Sequence, residues 1–561
     1  MAGYGALAGW ADLIDRINVF PVADGDTGTN LRISLAPLRD PECGKTALLL
    51  GSGAVGNAGN IAAAFFVHFV RAREPAELAA RSRHGANSAW EAVAAPRKGT
   101  MLSVFDTLAA SLEAGGVTAH QDLADRLRQT VADGPQHLDV LARAGVVDAG
   151  ALAMYIFFAS FFQYLAGADA VQVPVLESFP GRLRPAGIPQ AEGDTFCVDT
   201  EIALSTPSAP VRDQLGRLGD SVVARQDRGR LKIHVHTREP ASLREHLDGF
   251  GRILHWSDHP ITSQTRRETP ANDEPQGLHL LTDAAGSLSD ELAGRYNIGL
   301  LDSYIISQDR ARPERCCDPE EIYRLMREGQ RIGTAQASAV ERHQHYRCLV
   351  DRHHTVLYLC VGSAYTGNLA TALAWKKQHD PEDRFLVVDT GAASGRLGLI
   401  VLLTARAVCQ GASREEALCL ARRLVHSCME LVFIDELRYL AAGGRISRTK
   451  GLFGDLLGMK PVISPQAEGV RTVGTVRNSR QQLDLLQDHL RATARADTDQ
   501  VVLLQYSDNR TWVRKHVLPL IRHLLPQAEI HLVPLSLTSG VHMGPGTWAV
   551  AFQGTETGPT T

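Results

Sequence analysis

Asn18-Val19-Phe20-Pro21-Val22-Ala23-Asp24-Gly25-Asp26-Thr27-Gly28-Thr29-Asn30 is the stretch on which the reading of the chain turns. Hard divalent cations take oxygen ligands, and two aspartates separated by one glycine can converge on a single metal site. Gly25 and Gly28 allow tight backbone turns, and Thr27, Thr29 and Asn30 offer donors to phosphate oxygens. Taken alone, Asp-Gly-Asp-Thr-Gly is equally an Asp/Gly turn of structural or calcium-binding kind.

Three further glycine-bearing loops follow it in order: Gly53-Ala54-Val55-Gly56-Asn57-Ala58-Gly59, Pro96-Arg97-Lys98-Gly99-Thr100-Met101-Leu102 and Gly145-Val146-Val147-Asp148-Ala149-Gly150. Each alone is an ordinary turn. From about residue 100 to 166 apolar residues recur at helical spacing, as in Leu108 with Leu112 and Leu123 with Leu127 and Val131, which predicts a helix bundle with breaks at Ala114-Gly115-Gly116 and Asp133-Gly134-Pro135. Ala149 to Ala166 approaches membrane-spanning length, but Tyr155, Ser160, Gln163 and Tyr164 interrupt it and no basic cluster flanks it, so a buried bundle helix is expected.

With 561 residues the chain should form several domains. Hydrophobic residues at 44% and charged residues at 21% are globular values, and a formal charge of -4 offers no basic excess for a nucleic-acid backbone. Nine cysteines without a CxxC pair and a start lacking a leader pattern fit a reducing cytoplasm. Pro- and Gly-bearing stretches at Phe179 to Asp194 and His259 to Gly277 read as linkers. They set off three parts: residues 1–175, residues 190–260 and residues 277–561.

The four ordered loops resemble those of the kinase subunit of bacterial fatty acid kinases, itself a relative of the L subunit of dihydroxyacetone kinase. That resemblance implies an all-α helical barrel or bundle in which Asp24 and Asp26 carry magnesium under the phosphates of ATP. With Thr29 they would form the catalytic loop; Thr27, Asn30, Gly56, Asn57, Gly59, Thr100, Met101, Asp148 and Gly150 would receive the nucleotide. The chain departs from the pattern at Val55, Ala58 and Lys98, and at Gly150-Ala151-Leu152-Ala153. A lost side-chain hydroxyl removes a phosphate contact worth about 1 kcal/mol.

In the middle part, Thr200 to Leu204 and Leu231 to Thr237 suit strands, with a polar turn at Gly219-Asp220-Ser221, giving a small α+β domain. Residues two apart on a strand share a face, so His234 and His236 can reach one ion, and Cys197 could supply a thiolate; two ordinary strand histidines are the alternative. The segment resembles the middle domain of the same kinase subunit, which makes Cys197, His234 and His236 a candidate zinc site of regulatory or domain-pairing character.

Beyond residue 277, strand-like runs at Leu278 to Asp283, Val356 to Val361, Phe385 to Asp389, Val501 to Tyr506 and Ile530 to Leu535 alternate with helical patterns, which reads as α/β. Ser413 with Glu416 predicts a capping box, and another helix starts at Ser479. The histidine-rich segment from Arg342 to His354 reads as a solvated polar face.

This part resembles the DegV family, through Leu281-Thr282-Asp283, Gly333 to Ser338, Gly362 to Gly367, Gly443 to Ser447, Met459-Lys460-Pro461, Val476-Arg477 and His542 to Gly546. The resemblance implies a two-lobed α/β domain that binds a fatty acid, with Thr334, Ser363, Gly367 and His542 as the polar mouth and Arg477 as the adjoining cation. A buried acyl chain is stabilised by about 0.8 kcal/mol per methylene, whereas an unpaired buried carboxylate is strongly penalised, so polar groups should gather at one end.

The combined expectation is a phosphotransferase that uses ATP and magnesium to convert a bound fatty acid to its acyl phosphate, with Asp24, Asp26, Thr29 and Arg477 as catalytic residues. The alternatives are a kinase of a small ketone such as dihydroxyacetone, and a lipid-binding protein with a degenerate kinase domain. Tethering kinase and carrier would raise the local carrier concentration to roughly the millimolar range. A homodimer and peripheral membrane contact for lipid exchange complete the expected partners.

Overall fold

The computed structural model describes residues 1–39, 45–115, 120–167, 173–185, 195–205, 219–227, 229–261, 277–307, 310–442, 459–494 and 500–555. The chain divides into two compact units, Met1–Arg267 and Glu268–Thr561.

The first unit opens with helices α1 (Ala2–Gly9), α2 (Ala11–Arg16), α3 (Thr27–Leu35), α4 (Thr46–Gly53), α5 (Gly56–Phe69), α6 (Leu78–Ala92), α7 (Met101–Gly115), α8 (His120–Asp133), α9 (Asp139–Ala144) and α10 (Ala149–Leu165). Helix α10 is apolar on every side because it is surrounded, packing on α1, α7 and α8. No helix among the described residues is long and apolar enough to cross a membrane. A cluster of phenylalanines locks α5, α7 and α10 together: Phe65 stacks on Phe105 with centroids 4.1 Å apart, and Phe158 meets Phe65, Phe66, Phe69 and Phe157 within 5.8 Å.

The predicted linker after Phe179 begins inside this domain, since Phe179 is buried against Tyr155. The middle sheet consists of β1 (Phe196–Leu204), β2 (Asp220–Asp227), β3 (Arg230–Thr237) and β4 (Gly251–Pro260), antiparallel in the order β2-β3-β1-β4, with the helix Pro240–Asp248 against it. In place of the expected polar turn at Gly219 to Ser221, Asp220 and Ser221 open β2 with an irregularity in register and Ser221 at φ +55°, and His259 and Pro260 belong to β4, paired with Cys197 and Phe196. Antiparallel pairing lets one face be apolar, with Val198, Ile202, Ile233 and Val235 in its core, while the other carries polar groups.

The second unit holds a parallel sheet of β5 (His279–Asp283), β6 (Ile298–Leu301), β10 (Val356–Cys360) and β11 (Phe385–Asp389), in the order β11-β10-β5-β6. A small antiparallel sheet joins β7 (Tyr304–Ser307), β8 (Arg310–Pro313) and β9 (Gly333–Ala335). A mixed sheet takes β12 (Cys428–Phe433), β13 (Lys460–Gln466), β14 (Gly469–Val476), β15 (Val501–Tyr506), β16 (Glu529–Pro534) and β17 (Trp548–Gln553), in the order β14-β13-β12-β17-β15-β16. The helix Ser394–Cys409 contacts both large sheets, and its Leu397, Leu399 and Ile400 join a core that includes Leu357, Leu503 and Ala551. The capping box of Ser413 and Glu416 forms as predicted.

Phe158 has no exposed surface and sits among rings that cannot collapse without moving two helices. Phe158→Ala should therefore cost about 3–5 kcal/mol. Thermal unfolding is expected to show the transition of the first unit moved down while that of the second is unchanged.

Candidate functional site

The acidic loop is shaped by a residue outside the quoted run. Asp15, near the end of α2, accepts from the amides of Gly28 (2.6 Å) and Thr29 (3.1 Å) and from Thr29 Oγ1 (2.8 Å), so it caps the start of α3 from across the loop. Gly28 lies so close to α2 that a Cβ would fall 2.2 Å from the Ala11 carbonyl oxygen. The resemblance puts Thr29 beside the phosphates, but its hydroxyl is held by Asp15 and fixes the loop's shape.

The loop presents Asp24 and Asp26 to each other and to a cavity of about 610 Å³. Asn18 Nδ2 donates to Asp24 Oδ1 at 2.5 Å, and the Asn30 side chain hydrogen-bonds Asp26. Burial raises the Asp24 carboxyl above the usual carboxylate range; burial and then the Asp24 charge raise Asp26 well above it.

Of the expected nucleotide residues, Thr27, Asn57, Thr100, Met101, Asp148 and Gly150 line the same cavity. Asp148 caps α10 through the Ala151 amide at 2.7 Å, and burial pushes its carboxyl up to about 7. Asn30, Gly56 and Gly59 serve the approach of α5 to α3 instead: Cβ atoms at Gly56 and Gly59 would lie 2.0 Å from Asn30 Nδ2 and from Ser34 Oγ. Ile61, Met101 and Leu102 add apolar wall, and Arg97 contributes a guanidinium.

The middle sheet closes part of this cavity, with Gly219, Asp220, Ser221, Val222 and His236 in the lining. Val93, just after α6, bridges Val223, and the Ala94 amide donates to the Val222 carbonyl at 3.0 Å. The cross-strand pairs Cys197 with His236 and Asp199 with His234 put all four side chains on one face. Cys197 Sγ lies 3.8 Å from His234 Nδ1, and the Nε2 atoms of His234 and His236 are 3.2 Å apart. The three side chains are buried, with one ligand atom from each lying within 4.8 Å of the others. Burial pushes the His236 imidazole down to about 3, so it stays neutral and able to ligate.

In the second unit, Thr334 Oγ1 and His542 Nε2 meet at 3.0 Å, which joins β9 to the helix Leu537–Met543. Glu314 anchors that helix through the Thr538 amide (2.9 Å) and hydroxyl (2.6 Å). Ser363 donates from its hydroxyl to Asp389 at 2.6 Å. Gly367 lies beside the Thr334 loop, since a Cβ there would be 3.7 Å from Gln336 Oε1. Arg477 lies on the exposed turn after β14, where its amide donates to Gln481 Oε1 at 2.8 Å. Gly443 to Ser447 lie outside the described residues.

The segment read as a solvated face contains a buried cation. Arg342 NH1 lies 3.2 Å from Asp283 Oδ1, and each side chain is 1% exposed. Asp283 also accepts from Tyr358 Oη (2.8 Å), the Val361 amide (3.0 Å) and Asn368 Nδ2 (2.8 Å). It thereby ties the helix after the Thr334 loop to the start of the helix after Gly367.

Family models match in three places: the DAK2 domain over residues 43–163, the fatty acid kinase A-like middle domain over 194–268, and the DegV family over 278–555. A DegV domain-containing protein of Caldanaerobacter subterraneus is 25% identical over 49% of this chain and 98% of its own length. Protein YloV of Bacillus subtilis is 26% identical over 50% of this chain and 59% of its own, and a Staphylococcus saprophyticus protein 28% identical over 44% and 51%. The chain thus spans little more than half of these last two relatives. Among solved structures, a DegV family protein from Thermus thermophilus, titled for fatty acid binding, is 27% identical with a TM-score of 0.45, covering 50% of this chain and 99% of that one. DegV from Bacillus subtilis, titled a fatty acid binding protein, is 17% identical with the same TM-score and the same coverage. The chain carries, in order, a DAK2 domain, a middle domain of the fatty acid kinase A-like type and a domain of the DegV family.

Proposed function

We propose that the protein transfers the γ-phosphoryl group of ATP to the carboxylate of a fatty acid held by its own DegV domain, yielding an acyl phosphate. The observation that carries this reading is the cavity in which Asp24, Asp26, Asn57 and Asp148 converge beneath a middle domain of fatty acid kinase type.

The donor set fits a hard divalent cation. Asn18 Oδ1 and Asn57 Oδ1 are buried without a hydrogen-bond partner among the described residues, and both belong to residues lining the cavity beside the paired aspartates. Magnesium held by Asp24 and Asp26 would neutralise phosphate oxygens and the charge that develops on them during transfer. Zinc, which takes thiolate and imidazole ligands, fits Cys197, His234 and His236, whose ligand atoms lie within 4.8 Å of one another.

The remaining work falls to the chain itself. Ile61, Met101 and Leu102 offer an apolar wall for a base, and Thr27, Thr100 and Asn57 offer polar contacts. A fatty acid carboxylate is already ionised at neutral pH, so no general base is required and rate comes from orientation. In the DegV domain, Thr334 and His542 supply hydrogen-bonding groups for the carboxylate, with Ser363 and Gly367 on the loop beside them. Arg477, exposed on its turn, is assigned the role of offsetting acyl charge during transfer.

A lipid-binding protein with an inactive kinase domain is the rival favoured by Val55, Ala58 and Lys98, and the same assay separates the two. Asp24→Asn and Asp26→Asn should each lower fatty-acid-dependent ADP release by about 10²–10³-fold. Release that is absent from the unmodified protein, or unchanged in both variants, would reject the kinase reading. Thr334→Val should weaken binding of a long-chain acid roughly tenfold by removing one hydroxyl contact. Calorimetry with that acid tests this directly, and nucleotide affinity measured alongside should not change.

A further inference from the structure

Asp199 touches both the cysteine–histidine cluster and the start of α5. From β1 its carboxylate accepts the Gly56 amide at 2.9 Å and Asn60 Nδ2 at 3.1 Å, and its Oδ2 lies 3.4 Å from His234 Nδ1. Asn60 Nδ2 also donates to the Gly56 carbonyl at 2.8 Å, and Gly56 has a φ of +65°, so the backbone entering α5 is held on both sides of this one residue. The next residue, Asn57, lines the cavity. One carboxylate of the middle sheet therefore fixes the loop that faces the nucleotide space.

His234 Nδ1 lies 3.4 Å from Asp199 Oδ2 and 3.8 Å from Cys197 Sγ. With the Nδ1 proton given to the carboxylate, His234 offers Nε2, which is 3.2 Å from His236 Nε2. Two nitrogens at about 2.0–2.1 Å from one tetrahedral ion would stand about 3.4 Å apart. A ligating histidine whose second N–H rests on a carboxylate is the arrangement that fixes both ring and tautomer.

We propose that Asp199 is a positioning residue that links the two sites: zinc at Cys197, His234 and His236 and a nucleotide in the cavity each tighten binding of the other through this carboxylate. The proposal rests on the reading of the cavity as a nucleotide site. A cation on Nε2 makes the imidazole a stronger donor to Asp199. A carboxylate held more firmly orders Gly56 and Asn60, so the nucleotide loses less conformational freedom in the loop it meets, and linkage makes the effect reciprocal.

The test is zinc affinity of the full chain, measured by competition with a chromophoric chelator, with and without ADP and magnesium. In the unmodified protein ADP should tighten zinc binding about tenfold. Asp199→Asn should still bind zinc but lose most of that gain, and Asn60→Ala, which leaves the cluster intact, should lose it too. Attraction between zinc and the ADP phosphates through space would survive in both variants, so a full gain in both overturns the proposal. Equal zinc affinity with and without ADP in the unmodified protein, or failure of either ligand to bind, also overturns it. Failure of the fatty acid kinase reading would instead appear as ADP release indifferent to added acid, with this linkage still measurable.

Discussion

Two carboxylates brought together away from water repel each other, and each is penalised for being charged there. Asp24 and Asp26 are nevertheless held side by side, and much of the first unit can be understood as the restraint that keeps them so. Asp15 caps α3 and thereby fixes where Asp26 enters it; Gly28 lets that helix lie against α2; Asn18 and Asn30 hold one carboxyl each. Behind the loop, the phenylalanine cluster of α5, α7 and α10 gives this arrangement a rigid support.

The middle domain is part of the same architecture rather than an appendage. Its β2 start and His236 form wall of the cavity, and it is joined to the helices through backbone pairing at Val93 and Ala94. Backbone hydrogen bonds of this kind define an edge position closely, which loose side-chain packing would not. The polar face of its sheet is turned toward the acidic loop, where His236 lines the cavity and the Asp24 and Asp26 charges act on Cys197.

The main divisions are readable in the sequence because their signals are local. Helical periodicity locates α7 and α8, a nearly continuous apolar run locates α10, and the strand boundaries of β11 and β15 are legible from short apolar runs between turn residues. Strands β12 and β13 are not, for identifiable reasons: β12 carries a buried Glu430, which accepts the Gly395 and Arg396 amides, and β13 contains prolines next to the edge strand β14. At the candidate site, residue types in the acidic loop suggest a metal and phosphate role, yet they cannot tell Asp24, which faces the cavity, from Thr29, which turns to Asp15. Asp15, Asp199 and Arg342 escape such a reading because their roles depend on partners 13 to 143 residues away. Asp199 has one readable sign, its place two residues from Cys197 on a strand.

The fully enclosed pair of Asp283 and Arg342 has a bearing on how the DegV domain can change over time. Removing either member alone would strand the other's charge, at a cost of about 3–5 kcal/mol, and replacing both by apolar residues would still leave Tyr358 Oη, the Val361 amide and Asn368 Nδ2 without their acceptor. Change at these positions must therefore involve the whole set of partners together. The Thr334 and Gly367 loops are thus coupled through one buried carboxylate, so a change at that junction displaces both.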